Sequence, residues 1–276
     1  MPPSVTFRIT NLTDTISLMP KLLAIDALHI VRRIYEASDE TAPQAKAEAA
    51  LRHALPSFRR LLTTQAPTHA LCVFDFGGST WRHEIHSHYR ENHAPLPSEL
   101  SERLPKFYEQ LASFGLKPVS VPDVAAKDVI ATAVLRWLGE NRGEAVIAST
   151  DKDLHSLITH GALIWDHFKQ EWHDRAWVEK KFGVPPERLP DLLALAGDAS
   201  DNIPGVSKVG LKTAAKLLQS YGSLEQVLAG AGILMNPLGE RLRKERAQLD
   251  LSRQLVALKT DVRLGVTWQM LRYHAG

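Results

Sequence analysis

Short, unbroken apolar runs that close on an aspartate recur along this chain. Those at 22–25, 69–74, 145–150 and 162–165 end on Asp26, Asp75, Asp151 and Asp166. Runs too short for a buried helix and without polar alternation read as central strands of a parallel sheet. The stretches 45–64 and 128–140 read as helices between them. Strand and helix in alternation predict a doubly wound, mainly parallel α/β sheet. Ligands bind such sheets at the carboxyl ends of the strands. Asp26, Asp75 and Asp151, with Asp153 two residues on, are therefore expected to meet at one edge, while Asp166 reads as a turn residue. Farther along, apolar Leu192, Leu193 and Leu195 lead to Asp198 and Asp201, three apart and able to address one cation together. Structural caps would explain one or two of these acids. Six together point to a metal pocket, because clustered carboxylates repel unless cations neutralise them. An all-oxygen set suits Mg2+ or Mn2+ rather than zinc.

The segment from Pro204 and Gly205 to Gly210 reads as a tight hairpin opening onto a helix that carries Lys212 and Lys216. Glycines let a backbone approach a phosphate, and free N–H groups at a helix start receive it. Lysines one turn on add attraction to a nucleic-acid backbone without regard to base sequence. The plainer reading is a surface turn with capping aspartates.

Charge changes this picture only through its distribution. The 276 residues carry 33 Lys and Arg against 31 Asp and Glu, a net +2 that says little about partners. Between Ile203 and Thr260, nine basic residues face four acids, a local +5 from 9 − 4. A positive surface beside an acidic pocket suits a nuclease, one part holding DNA and the other metal. The single cysteine, Cys72, lies in an apolar run and reads as a buried strand residue, so a disulfide within the chain is excluded. No apolar run approaches membrane-spanning length, and the first twenty residues lack the apolar centre of a signal peptide. A cytoplasmic protein with no membrane partner is expected, with residues 1–18 either a disordered extension or an upstream start.

The stretch 197–214, Gly-Asp-Ala-Ser-Asp-Asn-Ile-Pro-Gly-Val-x-x-Val-Gly-x-Lys-Thr-Ala, resembles the signature of the 5′-nuclease family. That family includes flap endonucleases and the 5′–3′ exonuclease domains of bacterial DNA polymerase I. A free-standing chain of this size is most similar to the exonuclease IX branch. The resemblance implies a nuclease core at 19–185 and a helical region at 186–276, forming one compact unit. A helix–three-turn–helix would lie at about 191–218. An arch at about 76–106 would gate the passage of single-stranded 5′ ends.

In the family's two-metal scheme, one ion generates the attacking hydroxide and the other stabilises the leaving oxygen. Carried over, Asp151, Asp153, Asp198 and Asp201 would hold one ion, and Asp26, Asp75 and Asp128 would remain for the other. Arg82 and Arg90 would steer the scissile phosphate, with His93 in place of a further basic residue. K+ would bind the backbone carbonyls of Leu195, Ala196, Pro204, Val206 and Val209 and bridge the loop to a DNA phosphate. Gly205, Lys208, Gly210, Lys212, Thr213 and Lys216 would lie along the strand. Trp81 and Tyr89 read either as base-stacking or as partly buried. A zinc site at His83, His86, His88 and His93 is disfavoured, since cysteines and helical spacing are missing.

The chain departs from the family at 125–128. There the family's Glu-Ala-Asp-Asp is replaced by Ala125, Ala126, Lys127 and Asp128. Lys127 would pair with Asp26 or Asp75 and compete with the first ion, or else turn outward. The expected function is a structure-selective, divalent-metal-dependent 5′ nuclease acting, as a monomer, on DNA with 5′ single-stranded flaps or ends. The loss at 125–128 would weaken it. The alternatives are a flap- or junction-binding protein that cuts little, and a metal-dependent hydrolase of RNA or nucleotides.

Overall fold

The computed structural model describes residues 19–231 and 236–274, so the expected extension at 1–18 lies outside them. Six strands form one sheet: β1 (Lys21–Asp26), β2 (His69–Val73), β3 (Pro118–Val119), β4 (Glu144–Ala148), β5 (Leu163–Asp166) and β6 (Glu171–His173). Their order is β3-β2-β1-β4-β5-β6, parallel except for β6, which returns antiparallel to β5. β3 and β6 escape the apolar pattern because they have two and three residues. Chain order reverses between β1 and β4, which opens a crevice at their carboxyl ends.

Successive β1 side chains point to opposite faces, and both faces are covered. Leu23 and Ile25 pack with Val31 from α1 (Ala27–Glu36), with Phe58 and Leu61 from α2 (Pro43–Gln65), and with Phe107. Leu22 and Ala24 pack on the other side with Leu71, Ile130, Val134 and Trp137. Between β2 and β3 lie three helices, α3 (Trp81–Ile85), α4 (Ser98–Ser101) and α5 (Leu104–Ala112). α6 (Ala126–Gly139) joins β3 to β4, and a 3-10 turn at Lys152–His160 follows β4.

A second core forms in the helical region, among α7 (Arg175–Phe182), α8 (Leu189–Ala196), α9 (Leu211–Tyr221), α10 (Leu224–Ala231), α11 (Pro237–Lys244) and α12 (Arg246–Val256). After α12 the chain returns to the sheet. Val262 and Leu264 pack beside Ile130 and Trp137, and Thr132 bonds the Lys259 carbonyl and the Val262 N–H. Among the described residues, no helix is long and apolar enough to cross a membrane.

His155 gives this packing a pH dependence. It stacks on His173 and Trp177, and its Nε2 lies 2.9 Å from His173 Nδ1. Burial lowers its pKa from 6.5 to about 4, and His173 adds to the effect. A histidine kept neutral by folding contributes fully above its unfolded pKa, and that contribution is lost as pH falls toward the folded value. The loss is up to about 1.4 kcal/mol per pH unit below about 6.5. Buried acids pushed upward, such as Asp26, act the opposite way over the same window, so the comparison must be with a variant. Urea denaturation at about pH 7 and about pH 5 should show a smaller loss for His155→Phe than for the unchanged chain. Equal losses would contradict this assignment.

Candidate active site

Asp26, Asp75 and Asp151 line one cavity of about 510 Å³ at the switch point, together with Asp198 and Asp201. Asp26 closes β1 and accepts the Ser149 hydroxyl at 2.8 Å. Asp75, two residues past β2, accepts the Ala126 N–H at the start of α6 (2.7 Å), where the helix dipole favours an anion. Asp151 caps the 3-10 turn by accepting the Asp153 N–H at 3.0 Å. Burial pushes the Asp26 carboxyl up to about 6; Asp75 and Asp151 add to the push and His29 opposes it.

The other half of the acid set is neutralised from within. Lys127 is 2% exposed, and its ammonium pairs with Asp153 and, at 3.0 Å, with Asp201. It pairs with neither Asp26 nor Asp75, and it does not turn outward, so both expectations for it are corrected. Its place in the first turn of α6 explains the direction, because helical Cβ atoms lean toward the N-terminus and here toward the crevice. Burial would lower the Lys127 pKa, but Asp153, Asp151 and Asp201 hold it well above its ordinary value. Asp201 also accepts from Tyr89 Oη (3.0 Å) and Arg90 Nε (3.0 Å), with His93 Nε2 at 3.1 Å. Burial would raise the Asp201 pKa, yet Lys127 and Arg90 hold it well below the carboxylate range. Asp198 pairs with Lys152 at 2.5 Å.

Arg82 and Asp128 stand elsewhere. Both side chains are fully buried and form a two-pronged pair, Nη1 to Oδ2 at 2.6 Å and Nη2 to Oδ1 at 2.9 Å. Arg82 also donates to the Leu255 and Ala257 carbonyls, each at 2.7 Å. Asp128 further accepts from the Trp81 indole (3.0 Å) and the Lys259 N–H (2.9 Å). In this structure neither Arg82, expected to steer a phosphate, nor Asp128, expected to hold a metal, lines the cavity. Together they tie α3 and α6 to the chain leaving α12.

The expected arch is folded down between its neighbours. Tyr89 is 1% exposed, which settles its reading as buried, and half-buried Trp81 spends its N–H on Asp128. Arg90 donates its N–H to the Asp201 carbonyl, and Asn202 reaches the His88 carbonyl at 2.7 Å. These contacts dock 88–93 onto the loop bearing Asp198 and Asp201. The four histidines do not gather. Among the described residues, the group whose ligand atoms all lie within 4.8 Å is Asp166, Glu171 and His173. Arg33 lies 3.9 Å from Asp166, and Lys169 lies 3.6 Å from Glu171. Asp166 also spends Oδ1 on the Phe168 and Lys169 N–H groups, so it serves the β5–β6 turn.

In the hairpin, Gly197 and Gly205 pack back to back with φ of 72° and 62°. A Cβ on either would collide with the other's strand, so close approach requires glycine here. Gly205 gives its N–H to Ser252 Oγ (3.0 Å) and its carbonyl to Gln248 (2.7 Å). Expected to lie along DNA, it is buried in this structure with its N–H and carbonyl used within the chain. Lys208, Gly210, Lys212 and Lys216 are exposed and Thr213 half-exposed around the start of α9, whose first N–H groups have no intrahelical acceptor. Of the five carbonyls expected to hold K+, those of Leu195 and Val206 already accept the N–H groups of Val206 and Val209. Each keeps a second lone pair.

The sequence reading passed over His29, Arg32 and Lys152, which line the cavity beside Asp26. For the first two the signal was there. They follow Asp26 by one and nearly two helical turns, and so share its side of α1.

Comparison with known proteins agrees over nearly the whole chain. A family model described as the 5′-3′ exonuclease N-terminal resolvase-like domain matches residues 21–183. A second, the 5′-3′ exonuclease C-terminal SAM fold, matches 184–275. The flap endonuclease Xni of Psychromonas ingrahamii is 34% identical over 257 residues, 91% of this chain and 97% of that protein. Its namesake from Aeromonas salmonicida is 36% identical over 259 residues, 92% of this chain and 97% of that one. Zinc-bound T5 5′-exonuclease superposes with a TM-score of 0.73 at 18% identity, over 87% of this chain and 90% of that one. The catalytic core of Rad2 with its DNA substrate gives 0.54 at 18% identity, over 94% and 84%. These two show the shared fold. On the two family models and the curated relatives, the chain belongs to the 5′–3′ exonuclease family of nucleases.

Proposed function

We propose that this chain is a structure-selective 5′ nuclease that hydrolyses phosphodiesters in DNA with 5′ flaps or ends, using a divalent cation at Asp26, Asp75 and Asp151. The observation that carries this reading is a cavity at the switch point lined by these three carboxylates, none of which makes an ion pair among the described residues. The donors fit a hard cation. All are carboxylate oxygens, and burial, with Asp75 and Asp151 adding to it, raises the Asp26 pKa. When bound, such an ion supplies Lewis-acid charge at a phosphoryl oxygen and acidifies water. Arg32 and Lys152, which also line the cavity, would hold and orient the anionic phosphodiester.

The DNA reading rests on the basic α9 start. The N–H groups and Lys212 and Lys216 would take phosphates, with K+ on the loop carbonyls as a bridge. Lys212→Ala with Lys216→Ala should lower the log–log salt slope of duplex binding by about 0.9 per lost phosphate contact. An unchanged slope would show that this face does not touch DNA. Exchanging K+ for Na+ at constant ionic strength should weaken binding, and equal affinity removes the potassium. For the function as a whole the test is a substrate panel in Mg2+. A 5′-flap duplex should be cut in preference to 3′-flap, blunt and RNA substrates. Tight flap binding without cleavage would favour a junction-binding protein instead.

A further inference from the structure

His155 and His173 form a buried chain of ring contacts that runs one proton short. His155 Nδ1 lies 3.0 Å from the Asp151 carbonyl, and His155 Nε2 lies 2.9 Å from His173 Nδ1. At the outer end, His173 Nε2 lies 3.2 Å from Glu171 Oε1. A carbonyl and an ionised carboxylate only accept, so the three contacts need three ring protons, and two neutral imidazoles bring two. A third proton would make the pair cationic, which burial opposes at both rings. A metal cation can make good the shortfall at the outer end, because Glu171 is half-exposed whereas His155 is buried. There His173 Nε2 and Glu171 Oε1 meet lone pair to lone pair, and Asp166 joins them. One ligand atom from each of Asp166, Glu171 and His173 lies within 4.8 Å of the others. We infer that these three side chains, at the β5–β6 turn, bind a divalent transition-metal ion, Zn2+ being the ion their donors fit. None of the three lines the catalytic cavity, so the site is independent of the nuclease reading.

The surroundings prepare each ligand. A histidine that binds a metal through one ring nitrogen donates its other N–H to a fixed acceptor, and here His173 Nδ1 donates to His155 Nε2. The His173 ring is clamped besides, stacked on Trp177 of α7 with centroids 3.6 Å apart. Asp166 accepts the Phe168 and Lys169 N–H groups with Oδ1, which fixes its carboxylate and leaves Oδ2 for an ion. Asp166 and His173 are buried, and half-exposed Glu171 supplies the way in. Ligand atoms this close need only a small inward shift to reach the roughly 2.0–2.2 Å that Zn2+ takes with imidazole and carboxylate. One nitrogen and two oxygens, with water completing the set, favour Zn2+ over Mg2+, which prefers oxygen alone. The neighbouring cations do not close the site. Arg33 rests over the Phe168 ring at 4.4 Å and reaches Asp166 only at 3.9 Å, and exposed Lys169 reaches Glu171 only at 3.6 Å. A bound ion would pin β6 to the end of β5 and, through His173, to α7.

Calorimetric titration of the full chain with Zn2+ tests this, with Mg2+ in excess to load the oxygen-only acids of the cavity. One bound Zn2+ should be weakened at least about tenfold by Glu171→Gln and by His173→Gln, and changed less than about threefold by Asp26→Asn. Zn2+ should also raise the melting temperature of the unchanged chain and not that of Glu171→Gln. With Co2+ as the probe, the His173 Nδ1–H should give a paramagnetically shifted, exchangeable proton resonance, protected by His155 and missing from His173→Gln. Should His173→Gln fail to fold, Glu171→Gln still decides, since its side chain is half-exposed at a turn. No saturable Zn2+ binding, or an affinity unchanged in Glu171→Gln, would overturn the site. Zn2+ binding lost in Asp26→Asn alone would place the ion in the cavity and overturn it equally. A chain that binds Zn2+ as described and cuts no DNA would sink the nuclease reading and leave this site standing.

Discussion

Arg82→Met is expected to destabilise this chain by about 3–5 kcal/mol, the cost of removing one partner from a buried ion pair. Asp128 would keep its position with two of its donors gone, and the Leu255 and Ala257 carbonyls would each lose a charged donor. The loss falls where α3, α6 and the returning C-terminal segment meet, so the helical region should loosen from the sheet. Urea denaturation in EDTA measures it, with no DNA present. Arg82→Lys should recover only part, because an ammonium cannot match a two-pronged carboxylate contact and two carbonyls at once. A change below about 1 kcal/mol in Arg82→Met, with cleavage lost, would return Arg82 to the phosphate.

Asp26→Asn is expected to abolish most cleavage, by about 10²- to 10³-fold, while raising stability. The first effect is the several kcal/mol of charge stabilisation that a lost metal ligand forfeits. The second follows from the Asp26 pKa, raised from 3.8 to about 6 chiefly by burial. An acid whose folded pKa is raised costs stability fully above that pKa, and the cost shrinks as pH falls from there toward the unfolded value of 3.8. At neutral pH the ionised Asp26 costs on the order of 3 kcal/mol in the metal-free chain, which a neutral amide removes. Measured in EDTA, the Asn variant should therefore be the more stable at about pH 7.5, with the gap narrowing below about pH 6 and closing toward about pH 4. In Mg2+ the gap should narrow, since a bound ion offsets the same repulsion. A less stable variant in EDTA would show that Asp26 carries no unmet charge.

Asp26, Asp75 and Asp151 were legible because a parallel sheet has one carboxyl edge and each run ended there. The hairpin was legible too, since its glycines, proline and lysines lie within one short stretch. What stayed hidden depended on rotation and on distant partners. Lys127 and Asp128 are neighbours in sequence, yet about 100° of helix turn separates them. One therefore enters the acid cluster and the other turns to Arg82. Nothing local signals that the carbonyls of Leu255 and Ala257 complete that pair from more than 170 residues away. The phosphate role expected of Arg82 came from the family resemblance, and a motif position does not show which partner the guanidinium meets once folded. Gly205 shows the same limit. A glycine beside a helix start suggests a donor for phosphate, but Ser252, far along the chain, had already claimed its N–H.

The central claim is that Asp26, Asp75 and Asp151 hold the cation that cuts 5′-ended DNA. Its most direct test is single-turnover cleavage of a 5′-labelled flap duplex across a Mg2+ titration, with the unchanged chain and Asp151→Asn side by side. Saturable, EDTA-sensitive release of the flap by the unchanged chain, lost in Asp151→Asn while flap binding persists, is the predicted result. Cleavage that continues in EDTA, or equal rates in both proteins at saturating Mg2+, would contradict it.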